Sequence, residues 1–363
     1  MTTVATILTF IIILGILIFV HEFGHFLVAK ACGIRVLKFS LGFGPRLVGK
    51  TIGDTEYLLS AFPLGGYVKM LGENPDEQEL SPADRAAAFS HKAVWQRFLV
   101  VFAGPAFNFL FTIALFWMIF LVAGVPDAVD STVIGQVNPN SPAAQAGLQA
   151  GDRIITINGK TVAGWQDVQN GIKNSGGQPL AIAIRRGEAS QQVTVTPLID
   201  SVKNAYGEEV EKRYMIGIAK DNEMRLVRVG PIQAFVDACQ QSWMYVNLVV
   251  TGFIKIVQNV IPASELGGPI LIAQITGHYL EQGWMSLLYF MGLLSVNLAV
   301  LNLLPVPVLD GGHLFFLTLE GIRKKPLTER AQMVAQQIGL ALLVMLMIFV
   351  FYNDIVRIIR HFH

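Results

Sequence analysis

The chain of 363 residues has little cysteine and little charge: two cysteines, 27 lysines and arginines against 26 acidic residues, 15% charged in all. Cys32 and Cys239 are too few and too far apart for a disulfide framework or a thiolate metal site. A net charge of +1 supplies no field for nucleic acid, and there is no basic tail, so no nucleic-acid partner is expected. Apolar residues take the place of charge. They make up 53% of the chain, with a mean hydropathy of +0.51, which is too apolar for an ordinary soluble globule. The composition predicts an integral membrane protein with the lipid bilayer as its surroundings.

Four stretches are long and apolar enough to cross about 30 Å of hydrocarbon at about 1.5 Å per residue. They are Val4 to Cys32, Phe98 to Val125, Met285 to Leu319 with an interruption, and Ile338 to Ile359. No basic region precedes the first, and polar functional residues replace a small-residue cleavage site, so it is expected to be a retained helix and not a signal peptide. Lys30, Arg35, Lys38 and Arg46, with further basic residues up to Arg97, place the loop between the first two spans on the cytoplasmic side. Arg323, Lys324, Lys325 and Arg330 place the last loop on the same side, although Arg357 and Arg360 near the C-terminus run against this orientation. The termini and the long middle section are then expected outside.

The first span carries His21, Glu22, Phe23, Gly24 and His25. Histidines four apart share one helical face, where both imidazoles can bind one zinc ion, and the Glu between them can take a proton from a water activated there. Ionisable residues inside hydrocarbon persist where they are paired, ligated or wet, which sets this cluster apart from structural histidines. Two protein ligands are one short of the usual three at a catalytic zinc. The interrupted third span supplies the missing one: in Asn302-Leu303-Leu304-Pro305-Val306-Pro307-Val308-Leu309-Asp310-Gly311-Gly312-His313, two prolines break the helical ladder. Asp310 is the best third ligand and His313 its competitor, while Asp310 could instead cap the restarting helix.

Between the first two spans, residues 55–60 and 67–70 flank Ala61-Phe62-Pro63-Leu64-Gly65-Gly66 as two strands flank a turn. Phe62, Leu64, Tyr67 and Met70 are apolar enough to dip this hairpin into the membrane, or to pack it on the helices. Asn108 is a lone amide in the second span, after Gly104-Pro105; it either bonds a neighbouring helix or points at the metal site or a bound peptide. Residues 201–228, with charges of both signs, read as a linker or a domain edge. In Trp243 to Ile261, the polar residues Asn247, Thr251, Lys255 and Asn259 form one stripe, which predicts an amphipathic helix at the membrane interface.

From Ser131 to Pro197 the composition turns soluble. Alternating strands are predicted at 133–137, 153–157, 180–184 and 192–196, with a short helix after Ser141 and a turn at Asn158-Gly159. Ser141-Pro142-Ala143-Ala144, Gly147-Leu148, Gly151-Asp152 and Ile157-Asn158-Gly159 resemble a bacterial PDZ domain. Such domains bind extended peptides by strand addition, so a peptide or a substrate ectodomain is the implied partner, with a size filter or spacer as the alternative.

The His21 to His25 motif, Phe43-Gly44-Pro45, the Pro63 to Met70 stretch, Gly104-Pro105 with Asn108, one PDZ-like domain and the Asn302 to Asp310 motif together resemble the site-2 protease family. The likeness is to bacterial inner-membrane zinc proteases that cleave anti-sigma factors. It covers nearly the whole chain, although close relatives of that kind often carry two tandem PDZ domains and this chain has room for one.

The resemblance implies that His21, His25 and Asp310 bind Zn2+, that Glu22 is the catalytic base, and that the hairpin clamps substrate with Asn302 in contact. Tyr67, Pro305, Pro307 and Asn108 are further expected substrate contacts. The expected fold is a polytopic α-helical membrane protein of about four transmembrane helices, with a membrane-associated β-hairpin and one inserted α/β PDZ-like domain. Its expected divisions are residues 1–127, 128–200, 201–284 (linker and interfacial helix) and 285–363. The expected substrates are transmembrane proteins, such as a cleaved anti-sigma factor or remnant signal peptides. The competing readings are a membrane-tethered PDZ adaptor or chaperone without catalysis, and an ion transporter.

Overall fold

The structure, a computed structural model, describes residues 3–73, 81–203, 209–221, 223–325 and 327–361. In chain order it begins with α1 (Thr3–Ala31), β1 (Val36–Ile52), β2 (Thr55–Met70), α2 (Pro82–Ala87) and α3 (Val94–Ala123). Next come β3 (Val125–Ala128), β4 (Ile134–Val137), α4 (Pro142–Gln145), β5 (Arg153–Ile157), β6 (Lys160–Thr161) and α5 (Trp165–Lys173). The strands β7 (Leu180–Arg186), β8 (Ala189–Val195), β9 (Leu198–Lys203), β10 (Glu209–Met215), β11 (Ile218–Lys220) and β12 (Met224–Val227) follow. The chain closes with α6 (Pro231–Val257), α7 (Pro269–Gln282), α8 (Trp284–Asn302), α9 (Asp310–Arg323) and α10 (Glu329–His361). It divides into two compact units, Met1–Val122 with Gly230–His363, and Ala123–Val229.

In the first unit, α1, α3, α8 and α10 are the helices among the described residues that are long and apolar enough to cross a membrane. Their outward faces carry apolar side chains, with Leu8 57% exposed, Met118 60% and Met345 64%. Such surface suits lipid, where the helix satisfies its own backbone groups. The expected third span is α8 followed, after a break, by the short α9. Inside the break, Val306 N–H donates to Leu304 O (2.7 Å) and Leu309 N–H to Val306 O (2.8 Å), which satisfies backbone groups around the two prolines. At the far end of α9, Glu320 accepts two hydrogen bonds from Arg97 of α3 (2.6 and 3.1 Å), so both ends of this helix are tied down.

Two expectations for this unit need correction. Residues 55–60 and 67–70 are not paired as one hairpin, because β1 runs between them: 38–41 pairs with 66–69 on one side and with 56–59 on the other. The tight hairpin is instead the one joining β1 to β2 through Gly53 at φ +60°. Burial explains the insertion. Val36 and Phe39 (0% and 6% exposed) pack with Ala29, Ile34, Val68 and Met70 into a core against α1, a strand hidden in the sequence by Lys38, Gly42 and Gly44. Phe62 is exposed (60%), and the Leu64 side chain lies outside what is described.

The second correction concerns residues 231–282. The amphipathic helix starts earlier than expected, at Pro231, and buries Ala234, Ala238 and Ser242, spaced by four. This unit packs α6 against α8 and sets Tyr245 on Phe116 of α3 (ring centroids 5.4 Å apart). A separate helix, α7, precedes α8 inside the division expected to hold only a linker and an interfacial helix. Its N-terminus is capped by Asp354 of α10, which accepts from Gly268 N–H at 3.0 Å and Ile270 N–H at 3.1 Å.

In the second unit, β6-β5-β7-β8 form an antiparallel sheet whose inward residues Ile154, Ile157, Ile182 and Ile184 pack on Val168 and Ile172 of α5. The four predicted strands are all present. So is the turn, with Asn158 and Gly159 both at positive φ, and the short helix, capped by Ser141 Oγ accepting from Ala144 N–H (3.2 Å). The described residues of 201–228 carry strands that belong to this unit and are not a bare linker: β9 pairs with β10, β11 with β4 and β12 with β3. Ile216, 1% exposed, belongs to the same core as Ile182, and that burial outweighs the local charge that suggested a linker.

Candidate metal centre

On α1, His21 and His25 face one way and are buried, with ring centroids 4.9 Å apart. Gly24 lies between them because a Cβ there would overlap Ala103 O, so α3 approaches α1 closely along this turn. Gly104 does the same from the other side. A Cβ there would lie 2.8 Å from His21 Cε1 and would overlap His25 Nε2. His25 Nδ1–H donates to Val100 O at 2.8 Å, which leaves Nε2 with its lone pair. Asn108, fully buried, puts its amide 3.3 Å from His21 Nδ1, so it bonds the neighbouring helix α1 at one of the two histidines.

The break after α8 brings Asp310 to the same place. It stands in the first turn of α9 but does not cap it, since Leu309 holds the cap position without a side-chain bond. Its carboxylate turns to the histidines, with Oδ2 at 3.0 Å from His21 Nε2 and 3.5 Å from His25 Nε2. The two Nε2 atoms are 3.3 Å apart. These three distances describe a nearly equilateral triangle. A tetrahedral ion with bonds of about 2.0–2.1 Å separates its ligands by roughly 3.3–3.4 Å, so the triangle has the size of one tetrahedral face. Despite these short distances, Asp310 Oδ2 is buried with no hydrogen bond of acceptable direction. Two imidazole nitrogens that share one hydrogen bond and a carboxylate oxygen that has none therefore converge, which is a donor set a divalent cation satisfies. His313, the competing ligand, stands outside this group.

Gly311 and Gly312 permit this placement. A Cβ on Gly311 would overlap Leu303 O and Leu304 O, and one on Gly312 would overlap Val306 O. Backbone carbonyls of the proline break thus lie where only hydrogen fits. Glu22, half-buried, lies between the two histidines on α1, and its Cγ lies 2.9 Å from where a Cβ on Gly66 would be. The edge segment 66–70 of the sheet therefore starts beside Glu22. Tyr67 on that edge stacks on Phe43, with centroids 6.2 Å apart and rings 7° from parallel. Asn302 ends α8 at the mouth of the break that holds Pro305 and Pro307, and a Cβ added to Gly339 of α10 would lie 3.2 Å from Pro307 Cβ.

Sequence reasoning found the His, Glu and Asp residues but missed Val100, Gly66 and the packing role of Gly104. The spacing of Val100, Gly104 and Asn108 by four was the available signal, since it places all three on one helical face.

A family model for peptidase family M50 matches residues 9–346. The chain belongs to peptidase family M50. A Rhizobium meliloti protein described as a zinc metalloprotease is 39% identical over 366 residues, covering 96% of each chain. The Salmonella typhimurium regulator of sigma-E protease RseP is 34% identical over 444 aligned positions, covering 96% of this chain and 98% of its own. Yersinia pestis protease RseP matches at 33% with the same coverage. A solved HtrA3 PDZ domain aligns with 20% of this chain and 67% of its own at 26% identity, but its TM-score of 0.18 assigns no fold. As an M50 member, the chain is a zinc metalloendopeptidase of the site-2 protease type that works within a membrane, and the adaptor reading is set aside.

Proposed function

We propose that this M50 protease cuts a peptide bond inside or beside a transmembrane segment, with His21, His25 and Asp310 holding Zn2+ and Glu22 moving the proton. One observation carries the assignment: a triangle of two imidazole nitrogens and a carboxylate oxygen, with sides of 3.0, 3.3 and 3.5 Å, on the helix turn that also carries Glu22. Zinc, when bound there, acidifies a water and polarises the scissile carbonyl. The Glu22 carboxylate takes the proton from the attacking water and delivers it to the leaving nitrogen.

A helical substrate hides its carbonyls in its own hydrogen bonds and must open before attack. Pairing with the edge at 66–70 compensates the lost bonds, with Tyr67 beside the added strand and Asn302, Pro305 and Pro307 lining the other side. The loop charges orient the site toward the cytoplasmic face of a bacterial inner membrane. The middle unit is a PDZ-like module that receives a peptide or a substrate ectodomain. Its substrates are single-span proteins such as a cleaved anti-sigma factor or a remnant signal peptide, in keeping with the name of the Salmonella relative.

The test is purified protein in reconstituted membranes with a single-span substrate. Glu22→Gln should keep its zinc and lose cleavage by at least about 100-fold; cleavage retained by this variant would refute the role of Glu22. Asp310→Ala should lose bound zinc, and an unchanged metal content would move the third ligand elsewhere.

A further inference from the structure

Each histidine of the α1 pair presents Nε2 to the common point and Nδ1 to α3. The α3 partners are Val100 for His25 and Asn108 for His21, placed symmetrically four residues to either side of Gly104. At His25 the arrangement is complete: a carbonyl accepts from Nδ1–H, which fixes the tautomer and aims the Nε2 lone pair. At His21 a side-chain amide stands where the carbonyl stands for its neighbour. If His21 is to give its Nε2 lone pair to a metal, its remaining proton sits on Nδ1 and needs an acceptor.

We propose that Asn108 is the positioning residue for His21, presenting its amide oxygen to Nδ1–H so that the Val100, Gly104, Asn108 face of α3 sets both imidazoles for metal. This rests on the metal reading above. Two further observations support it. Asn108 Oδ1 is buried without a donor, so turning the amide end for end gives that oxygen a partner, and the NH2 moves to a place where no donor opposes it. The residue is also held firmly: its backbone carbonyl accepts from Ser295 Oγ of α8 at 2.8 Å and Thr112 Oγ1 at 3.0 Å, and Thr112 Oγ1 also reaches Gly292 O at 3.3 Å. A helix-to-helix chain of bonds thus runs from α8 through Asn108 to the ring of His21.

The experiment measures zinc affinity of the full chain in lipid nanodiscs by competition with a chelator, together with the visible spectrum of the Co2+-loaded protein. Asn108→Leu removes the acceptor and Asn108→Ser draws its oxygen back out of reach of Nδ1, so each should weaken zinc by about 10–100-fold and alter the cobalt bands. Asn108→Asp keeps an acceptor for Nδ1–H and should stay within about threefold of wild type. A pure packing role predicts the opposite order, since a buried carboxylate fits worse there than leucine. Unchanged affinity in Leu and Ser, or loss in Asp equal to that in Leu, would overturn the proposal. Wild-type protein that binds no zinc would instead overturn the metal reading itself.

Discussion

Gly312 follows Asp310 by two residues, and a Cβ there would lie 2.5 Å from Pro307 Cα and 2.6 Å from Val306 C. These are backbone atoms that cannot swing aside, so Gly312→Ala must push the first turn of α9 outward and carry the Asp310 carboxylate with it. A misplacement of about 1 Å at such a site costs roughly 100-fold in rate. Cleavage by Gly312→Ala should fall by about that factor, with reduced zinc content by metal analysis; wild-type values for both would show that the break absorbs the methyl group. The ligands themselves were legible in the sequence because helical spacing puts His21 and His25 on one face. The requirement for hydrogen at 24 and 104 was not, because it arises from helices distant in sequence, and at 311 and 312 it depends on how the chain folds back across the proline break.

At the scale of the element, the sheet edge and α1 meet at one point. Residue 66 is wedged between Glu22 Cγ (2.9 Å from a built Cβ), Ser40 O (2.9 Å) and Ile18 Cγ2 (3.0 Å). A larger residue there displaces either the edge or Glu22, while the histidines and Asp310 keep their own supports. Gly66→Val should therefore lower cleavage by about tenfold or more with zinc content unchanged; a variant that cleaves normally, or that loses zinc, would break the link between this edge and Glu22. The strands at 55–60 and 67–70 were readable from their alternation. Their separation by 38–41 was not, since the pairing is decided by the core that Val36 and Phe39 form with α1.

For the whole molecule, the second unit has an electrostatic support of its own. Asp152, 1% exposed at its side chain, receives Arg186 Nε at 2.7 Å and Nη2 at 2.7 Å, and Gln149 N–H at 2.8 Å. Hydrogen bonds from Arg186, then from Gln149, hold the Asp152 carboxyl below its ordinary value of 3.8. A depressed acid stabilises the fold above its unfolded pKa and loses that contribution as pH falls through the folded one. Amide exchange in β5 and β7 should accordingly rise as pH drops below about 4, after correction for the intrinsic rate, and Asp152→Asn should flatten this dependence. An identical profile in both proteins would remove Asp152 from the account.

Hydropathy, the two histidines four apart, the double-proline break and the turn at Asn158 follow from chain chemistry alone. They determined four spans, a metal-binding helix face, a broken segment carrying an acid, and an inserted unit with four strands. The tertiary structure decided which acid joins the histidines, which strand lies beside Glu22, and that Ile216 joins a core. Those outcomes depend on which distant surfaces bury each other, and local periodicity carries no record of that choice.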